Sequence, residues 1–238
     1  MLRDAHVHMT RLPSFIETVS ILKSKKVTAV SSACAPWEWP ILEKLSRSFE
    51  NIEAAYGLHP YEIGSNYQKD LEKCLDYLKQ NPDSKVGETG IDRRFPGYAP
   101  KEEQESAFIF QAKVALEFKR PLIIHCVGDY LRLFQILSSL GYPSSDSPIH
   151  LHRFAPKKHL LEPVLSLQCH ISLHQDSFKG NDLALFLKNI PEERFEFETD
   201  ADETFAPKET PPEETANRLI ERLEQNFNHF RELLDSNN

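Results

Sequence analysis

The chain carries two closely spaced histidines near its start, in the run Asp4-Ala5-His6-Val7-His8. Because residues i and i+2 of a strand point to the same face, a strand here would place the two imidazoles side by side at its C-terminal end. Imidazole nitrogens are common ligands of divalent metal ions. The pair therefore predicts a metal site with His6 and His8 among its ligands.

Further candidate ligands follow short apolar or strand-like runs elsewhere in the chain. They are Glu88 in Val-Gly-Glu-Thr-Gly, His125 in Leu-Ile-Ile-His, His152 in Ile-His-Leu-His and Asp200 in Phe-Glu-Thr-Asp. Such nitrogen and oxygen donors suit two divalent ions of the zinc, manganese or magnesium kind, and they predict a hydrolase. Glu88, in the middle of the ligand order, is the predicted bridge between the ions. His6, His8 and Asp200 would complete one ion's ligands, and His125 and His152 the other's.

The elements that must position these residues alternate between strand and helix patterns. Strands are predicted at Leu2–His6, Val27–Ala33, Ile52–Gly57, Lys85–Gly87, Leu122–His125, Ile149–His152, Cys169–Leu173 and Phe195–Thr199. Helices are predicted near 13–24, 38–49, 69–80, 102–118, 129–140, 156–166, 182–190 and 212–235, and a loop at Phe205–Glu214. Eight strand–helix pairs in 238 residues predict a single α/β domain, 1–238, folded as a (β/α)8 TIM-like barrel. A doubly wound open sheet is the alternative. In a barrel, all the proposed ligands would meet at the C-terminal ends of the strands.

Composition limits the functional classes. The formal net charge is −8, which disfavours general nucleic-acid binding through a basic surface, although bound divalent ions would reverse the sign locally. Four widely spaced cysteines without a Cys-x-x-Cys pair indicate reduced thiols. We find no signal peptide, membrane span or Gly-rich dinucleotide motif. The expectation is a cytoplasmic protein without an organic cofactor or membrane contact.

Several runs together resemble the TatD family of metal-dependent hydrolases, an amidohydrolase-like family whose members often act as deoxyribonucleases. The matching runs are Asp4-Ala-His-Val-His8, Gly57-Leu-His-Pro60, Gly87-Glu-Thr-Gly-Ile-Asp92, Leu122-Ile-Ile-His125, His152-Arg-Phe154 and Glu198-Thr-Asp200, with Gln104 and Phe108 in the helix before the fifth strand. The resemblance covers nearly the whole chain in order. It implies a TIM-like barrel and the same six ligands, with Glu88 and Asp200 catalytic. It also implies that Asp200 positions or deprotonates the attacking water and that His59 lies near the substrate.

The chain departs from the family pattern around the predicted substrate site. Val127 stands where the family commonly carries an arginine, and Asp202 stands where a proline usually follows the aspartate of strand 8. A long loop with Arg-Gly and Asn-Glu-Pro elements is absent. Arg93 and Arg94, after strand 4, are then the best remaining candidates for phosphate contacts. We therefore expect a phosphodiesterase whose partner is DNA or a short oligonucleotide, bound weakly.

Two other functional classes remain open from the sequence. One is a metal-dependent amidohydrolase or esterase acting on a small molecule, and the other is a barrel that binds a partner without chemistry. A basic rim around the pocket would favour nucleic acid, whereas an acidic or apolar rim would favour a small substrate.

Strand periodicity adds a prediction below the metal ligands. His150 shares a face with His152, and Glu196 and Glu198 share a face with Asp200. Because an unpaired buried carboxylate is costly, we expect His150 to meet Glu196 or Glu198, unless a bulge turns Glu196 outward.

Overall fold

Eight parallel strands form one sheet in the computed structural model, which describes residues 2–94 and 99–237. The strands are β1 (Arg3–Val7), β2 (Thr28–Ala33), β3 (Ile52–Tyr56), β4 (Lys85–Asp92), β5 (Leu122–Val127), β6 (Ile149–Leu151), β7 (His170–Leu173) and β8 (Phe195–Phe197). Each pairs with the next in chain order. The helices between and after them are α1 (Phe15–Ser24), α2 (Trp39–Ser48), α3 (Tyr67–Gln80), α4 (Lys101–Phe118), α5 (Tyr130–Ser139), α6 (Leu161–Ser166), α7 (Leu183–Asn189) and α8 (Pro212–Asn237).

The sheet closes on itself between β1 and the segment that follows β8. The Asp200 amide donates to the His6 carbonyl at 3.0 Å, and the His8 amide donates to the Ala201 carbonyl at 2.8 Å. Buried Asp4 also accepts hydrogen bonds from the Thr199 amide at 3.0 Å and the Thr199 hydroxyl at 2.6 Å. These contacts confirm the predicted barrel, and the doubly wound open sheet is wrong. One closed sheet is compatible with the single domain expected for 1–238.

Strand β4 is longer than its sequence pattern predicts. The glycines of Gly-Glu-Thr-Gly indicated an end at Gly87, yet pairing with β5 continues to Asp92 after a register shift between Val86 and Thr89. A Cβ atom at Gly90 would clash with the His125 carbonyl oxygen, and Gly90 has φ +153°. The glycine therefore permits a close approach of two strands rather than ending one. Glu88 consequently lies within a strand rather than just past its end.

Strands β6 and β8 are shorter than predicted because the backbone turns away at their C-terminal ends. Arg153 has φ +46° and Asp200 has φ +50°, in the left-handed region that residues with a Cβ atom rarely adopt. Both turns lie at the open mouth of the barrel. The predicted irregular stretch at Phe205–Glu214 ends earlier than expected, because α8 begins at Pro212, where the first turn of a helix tolerates proline.

Apolar side chains of the strands and helices form the core between the sheet and the outer helices. Fully buried large side chains include Trp39, Tyr56, Phe108, Phe154, Phe186 and Phe230. Trp39 therefore caps the core, whereas Trp37 is 54% exposed and lies under the Arg11 guanidinium. No helix within 2–94 and 99–237 has the length and apolarity needed to cross a membrane.

Candidate metal centre and active site

The six predicted ligands converge around Glu88 at the C-terminal end of the barrel. Glu88 Oε1 lies 2.9 Å from His152 Nε2 and 3.0 Å from His125 Nδ1. Glu88 Oε2 lies 3.3 Å from His6 Nε2 and 3.5 Å from His8 Nε2. The two oxygens of one carboxylate thus face two different pairs of imidazoles.

Asp200 lies on the side of the cluster that contains His6 and His8. Its Oδ1 lies 3.5 Å from His8 Nε2 and 3.8 Å from His6 Nε2. The structure therefore brings together His6, His8, Glu88 and Asp200 on one side, and Glu88, His125 and His152 on the other. This is the grouping expected from the sequence.

Each of the four imidazoles has an outer partner on its other ring nitrogen. Ser32 Oγ lies 3.3 Å from His6 Nδ1, Cys34 Sγ lies 3.7 Å from His8 Nδ1, Asp92 Oδ2 lies 2.9 Å from His125 Nε2, and Glu198 Oε1 lies 3.4 Å from His152 Nδ1. Outer carboxylates of this kind fix the tautomer and orientation of metal-binding histidines. Donation of a hydrogen bond from His125 Nε2 to the Asp92 carboxylate leaves the lone pair of Nδ1 facing Glu88.

Burial and neighbouring imidazoles set the charges of the cluster. Burial would raise the pKa of Glu88, but the imidazoles of His152, His59 and His6 outweigh it and hold that pKa well below its ordinary value. Burial would likewise raise the pKa of Asp200, and His152 together with a hydrogen bond from His8 lowers it. Both carboxylates are therefore ionised at neutral pH.

His59 lies closer to the centre than its predicted place near the substrate requires. Its Nε2 is 3.5 Å from Glu88 Oε1, while its Nδ1 accepts a hydrogen bond from the Tyr61 amide at 3.1 Å. Burial lowers the pKa of His59 to about 4. The ring is therefore neutral at pH 7, with its proton on Nε2, and offers a hydrogen-bond donor toward the cluster rather than a lone pair.

The structure separates the two arginines that were predicted to contact phosphate. Arg94 lines the cavity over the cluster and contacts Asp92, with Nη2 2.6 Å from Oδ2. Arg93 is not among the described residues that line the cavity, and its guanidinium is 3.1 Å from Glu105 Oε1. The geometry supports a substrate contact for Arg94 and gives Arg93 no direct one.

A cavity of about 580 Å³ opens above the cluster. Its described rim carries the cations Arg11, Arg94, Arg153 and Lys157 and the anions Glu62, Asp129, Asp176 and Asp202. Arg153 is paired with both Asp200 and Asp176 at 2.7 Å. Lys157 is exposed and forms no ion pair within the described part of the chain. The rim is thus mixed in charge, with one lysine at the mouth available to an anionic substrate.

Sequence reasoning missed several residues of this site. Arg153 follows His152 in the matched run His152-Arg-Phe154, which was the one sign of its role. Asp92 stood in the matched run around Glu88 without an assigned role. Ser32 and Cys34 are ordinary residue types on strands or strand ends, and nothing in the sequence pairs them with a particular histidine. Glu198 was expected on the inward face as a possible partner of His150, whereas the structure places it beside His152.

The donor set fits divalent metal ions. Two ligands each about 2.0–2.2 Å from one tetrahedral ion lie on the order of 3.3–3.5 Å apart, and the separations around Glu88 are 2.9–3.5 Å. Glu198 Oε2 is buried without a hydrogen-bond partner in the described structure, and the 3.4 Å contact of His152 Nδ1 with Glu198 Oε1 does not have hydrogen-bond geometry. The adjacent buried histidines and carboxylates suit a cation that orients and neutralises them.

The fold and the cluster define a barrel hydrolase with a ligand set for divalent ions. The sequence profile of the family described as TatD related DNase matches residues 3–237. The chain belongs to this family of metal-dependent nucleases.

Individual relatives agree with the assignment. The 3′-5′ RNA nuclease TATDN2 from Homo sapiens is 28% identical over 234 residues, covering 87% of this chain and 29% of that protein. The chain thus matches less than a third of TATDN2. A 3′-5′ ssDNA/RNA exonuclease TatD from Escherichia fergusonii is 27% identical over 180 residues, covering 74% of this chain and 67% of that protein.

Two crystal structures share the fold. One is a TatD family hydrolase from Entamoeba histolytica, with a TM-score of 0.71, 18% identity and coverage of 99% of this chain and 96% of that chain. The other is the TatD homologue YJJV from Escherichia coli K12, with a TM-score of 0.72, 21% identity and coverage of 99% and 95%. At these identities the likeness concerns the barrel alone.

Proposed function

We propose that this protein hydrolyses phosphodiester bonds near the ends of short or single-stranded nucleic acid, using two divalent ions. His6, His8, Glu88 and Asp200 would hold one ion, and Glu88, His125 and His152 the other. The observation that carries the proposal is the split of the Glu88 carboxylate, whose oxygens face two separate pairs of imidazole nitrogens.

The chain's own residues position the reacting groups. Bound divalent ions would lower the pKa of a water nucleophile and stabilise charge on the phosphoryl oxygens. Asp200 is ionised, and its Oδ2 is held by Arg153 at 2.7 Å. By the family resemblance, Asp200 positions or deprotonates the attacking water. Neutral His59 directs its Nε2 proton to the Glu88 side of the site, where it can donate to a phosphoryl oxygen.

The mouth of the cavity favours a short substrate over a long duplex. The described rim has few cations without an acidic partner, and the net charge is −8. Contacts to phosphates along a polymer dominate its affinity, so few such cations mean weak, salt-sensitive binding. The names of TATDN2 and of the TatD exonuclease, both acting from 3′ to 5′, support action at strand ends.

The proposal is tested with single-stranded DNA and RNA oligonucleotides labelled at either end, in the presence of Zn²⁺, Mn²⁺ or Mg²⁺. We expect metal-dependent shortening from one end. Glu88→Gln should abolish it and also reduce the metal bound per chain, because both ions lose a shared ligand. His229→Gln on the exposed face of α8 is the matched control and should retain full activity. Turnover of small amides or esters with none on any oligonucleotide would overturn the proposal.

A further inference from the structure

A second group of metal-binding side chains lies at the end of the barrel opposite to Glu88. His150, His170 and Glu196 stand on the consecutive strands β6, β7 and β8. One donor atom from each lies within 4.8 Å of the other two. His150 precedes His152 by two residues and shares its face, so it points into the barrel one layer below the catalytic cluster.

Two contacts organise this basal cluster, defined as His150, His170 and Glu196. His150 Nδ1 is 2.8 Å from Glu196 Oε2, which confirms the pairing predicted from strand periodicity. The His150 and His170 rings stack, with centroids 4.8 Å apart and planes 21° from parallel. The two histidines are ladder partners across β6 and β7, so backbone pairing holds their rings in register.

Both oxygens of Glu196 have neighbours, and Oε2, which faces His150 Nδ1, is the one that would share a cation with it. The other oxygen, Oε1, lies 3.8 Å from Arg3 Nε and orients the carboxylate. Arg3 is itself paired with Glu53, which also pairs with Lys85 at 2.6 Å. Because Glu53 offsets these basic groups, their repulsion of a third cation is reduced.

The ligand chemistry selects a class of ion. Two imidazoles and one carboxylate form the protein ligand set of many three-residue zinc sites and of related transition-metal sites. Imidazole favours zinc, cobalt and nickel over magnesium or calcium. All three residues are partly exposed, which provides an entry path and room for water ligands.

We propose that His150, His170 and Glu196 form a third divalent-metal site that takes a zinc-like ion and is independent of the catalytic cluster. Its ligands come from three adjacent strands, of which β6 and β8 have three residues each. Such short strands form few ladder hydrogen bonds. A shared ion therefore adds a connection between three strands of which two are short.

The test measures zinc bound per chain by equilibrium dialysis of metal-stripped protein followed by elemental analysis. Wild type is compared with His170→Gln and with the isosteric Glu196→Gln, and His229→Gln is the matched control. We expect each basal variant to bind one zinc ion fewer than wild type, the control to bind the same number, and nuclease activity to be unchanged in all three variants. Equal zinc content in wild type and both basal variants would overturn the site.

A second readout separates this site from the catalytic one. In the Glu88→Gln background, Zn²⁺ should still raise the melting temperature, and adding His170→Gln should lower the affinity for that ion by at least about 10–100-fold, the effect of losing even an outer partner. Circular dichroism in the absence of zinc checks that each variant folds. A zinc-dependent rise in melting temperature that is the same with and without His170 would contradict the proposal. If the wild-type protein does not hydrolyse nucleic acid but the zinc measurements agree with expectation, the proposed function fails and the basal metal site stands.

Discussion

At the scale of single residues, the catalytic cluster is built from ligands and from the outer groups that aim them. The meeting of the six proposed ligands was predictable because histidines and carboxylates stood at or near the ends of five of the eight predicted strands. The outer partners were not, because a serine, a cysteine or a carboxylate gains its role only when another strand places an imidazole beside it. Asp92 shows this dependence most clearly. Its carboxylate accepts hydrogen bonds from His125 Nε2 and from the Arg94 guanidinium. Its backbone amide donates a hydrogen bond to Oε1 of buried Gln104 on α4 at 2.9 Å.

Replacing Asp92 by asparagine should weaken metal binding without removing a ligand. The amide oxygen can accept a hydrogen bond, but it cannot stabilise a charged imidazole or enforce its tautomer as a carboxylate does. Loss of such an outer partner typically lowers metal affinity or activity by roughly 10–100-fold. Competition with a chelator measures the affinity of Asp92→Asn, and Asp92→Glu is the variant that keeps the charge. An affinity equal to wild type in Asp92→Asn would show that the His125 orientation does not depend on this carboxylate.

The two adjacent lysines at 157–158 provide a matched test of whether the mouth of the cavity contacts a phosphate of the substrate. Both are exposed, but only Lys157 lines the cavity. Lys157→Ala should weaken oligonucleotide binding and reduce the slope of log affinity against log salt by about 0.7, the value for one phosphate contact to a single strand. Lys158→Ala should leave both unchanged. Salt titrations of binding to a labelled oligonucleotide make the comparison, and equal slopes for the two variants would remove the proposed contact.

At the scale of elements, β4 and β5 carry the exact placement of the central ligands. Periodicity located both strands, but it could not show that Gly87 and Gly90 serve strand contact rather than a turn. Alternation and glycine content are local properties, whereas the close approach depends on the partner strand. For the same reason the ends of β6 and β8 were predicted too far along, since left-handed turns at Arg153 and Asp200 follow from tertiary contacts.

Gly90→Ala should damage both stability and the metal centre. An added Cβ would clash with the backbone carbonyl oxygen of His125, whose imidazole is a proposed ligand. The positive φ of Gly90 also disfavours alanine. Overpacking of this kind typically costs roughly 1–3 kcal/mol in the free energy of unfolding. Denaturant unfolding and chelator competition measure the two effects. Gly64→Ala is the control, because a Cβ added there would meet no described atom within 4 Å; equal behaviour of the two variants would contradict the strand-contact explanation.

At the scale of the whole molecule, the barrel is closed by residues that lie far apart in the chain. Asp4 on β1 and Thr199 after β8 are both buried and bonded through the Thr199 amide and hydroxyl. Burial outweighs these hydrogen bonds and raises the pKa of Asp4 to about 7. The strand order of the barrel was predictable from the alternating pattern. This closing contact was not, because an aspartate and a threonine separated by nearly the whole chain carry no local mark of their pairing.

Thr199→Val should loosen the closure while preserving side-chain shape. It removes a hydrogen bond to a buried carboxylate, with an expected cost of about 2 kcal/mol and a fall in melting temperature of about 4–8 °C for a chain of this size. The pKa of Asp4 lies above its unfolded value, so its burial makes stability fall as pH rises from about 4 to 7. The Thr199 hydroxyl stabilises the ionised Asp4 carboxylate more than the protonated one. The decrease in the free energy of unfolding caused by Thr199→Val should therefore be larger at pH 8 than at pH 5. Thr199→Ser should stay near wild type at both values, and a pH-independent loss would contradict this account.

The closure also bears on when the protein becomes active during its synthesis. His6 and His8 leave the ribosome long before Asp200 and the segment that pairs with β1. Until then, the first strand has an unpaired edge and the metal-ligand cluster is incomplete. A nascent chain therefore cannot assemble the proposed metal centre until Asp200 and the segment that pairs with β1 have emerged.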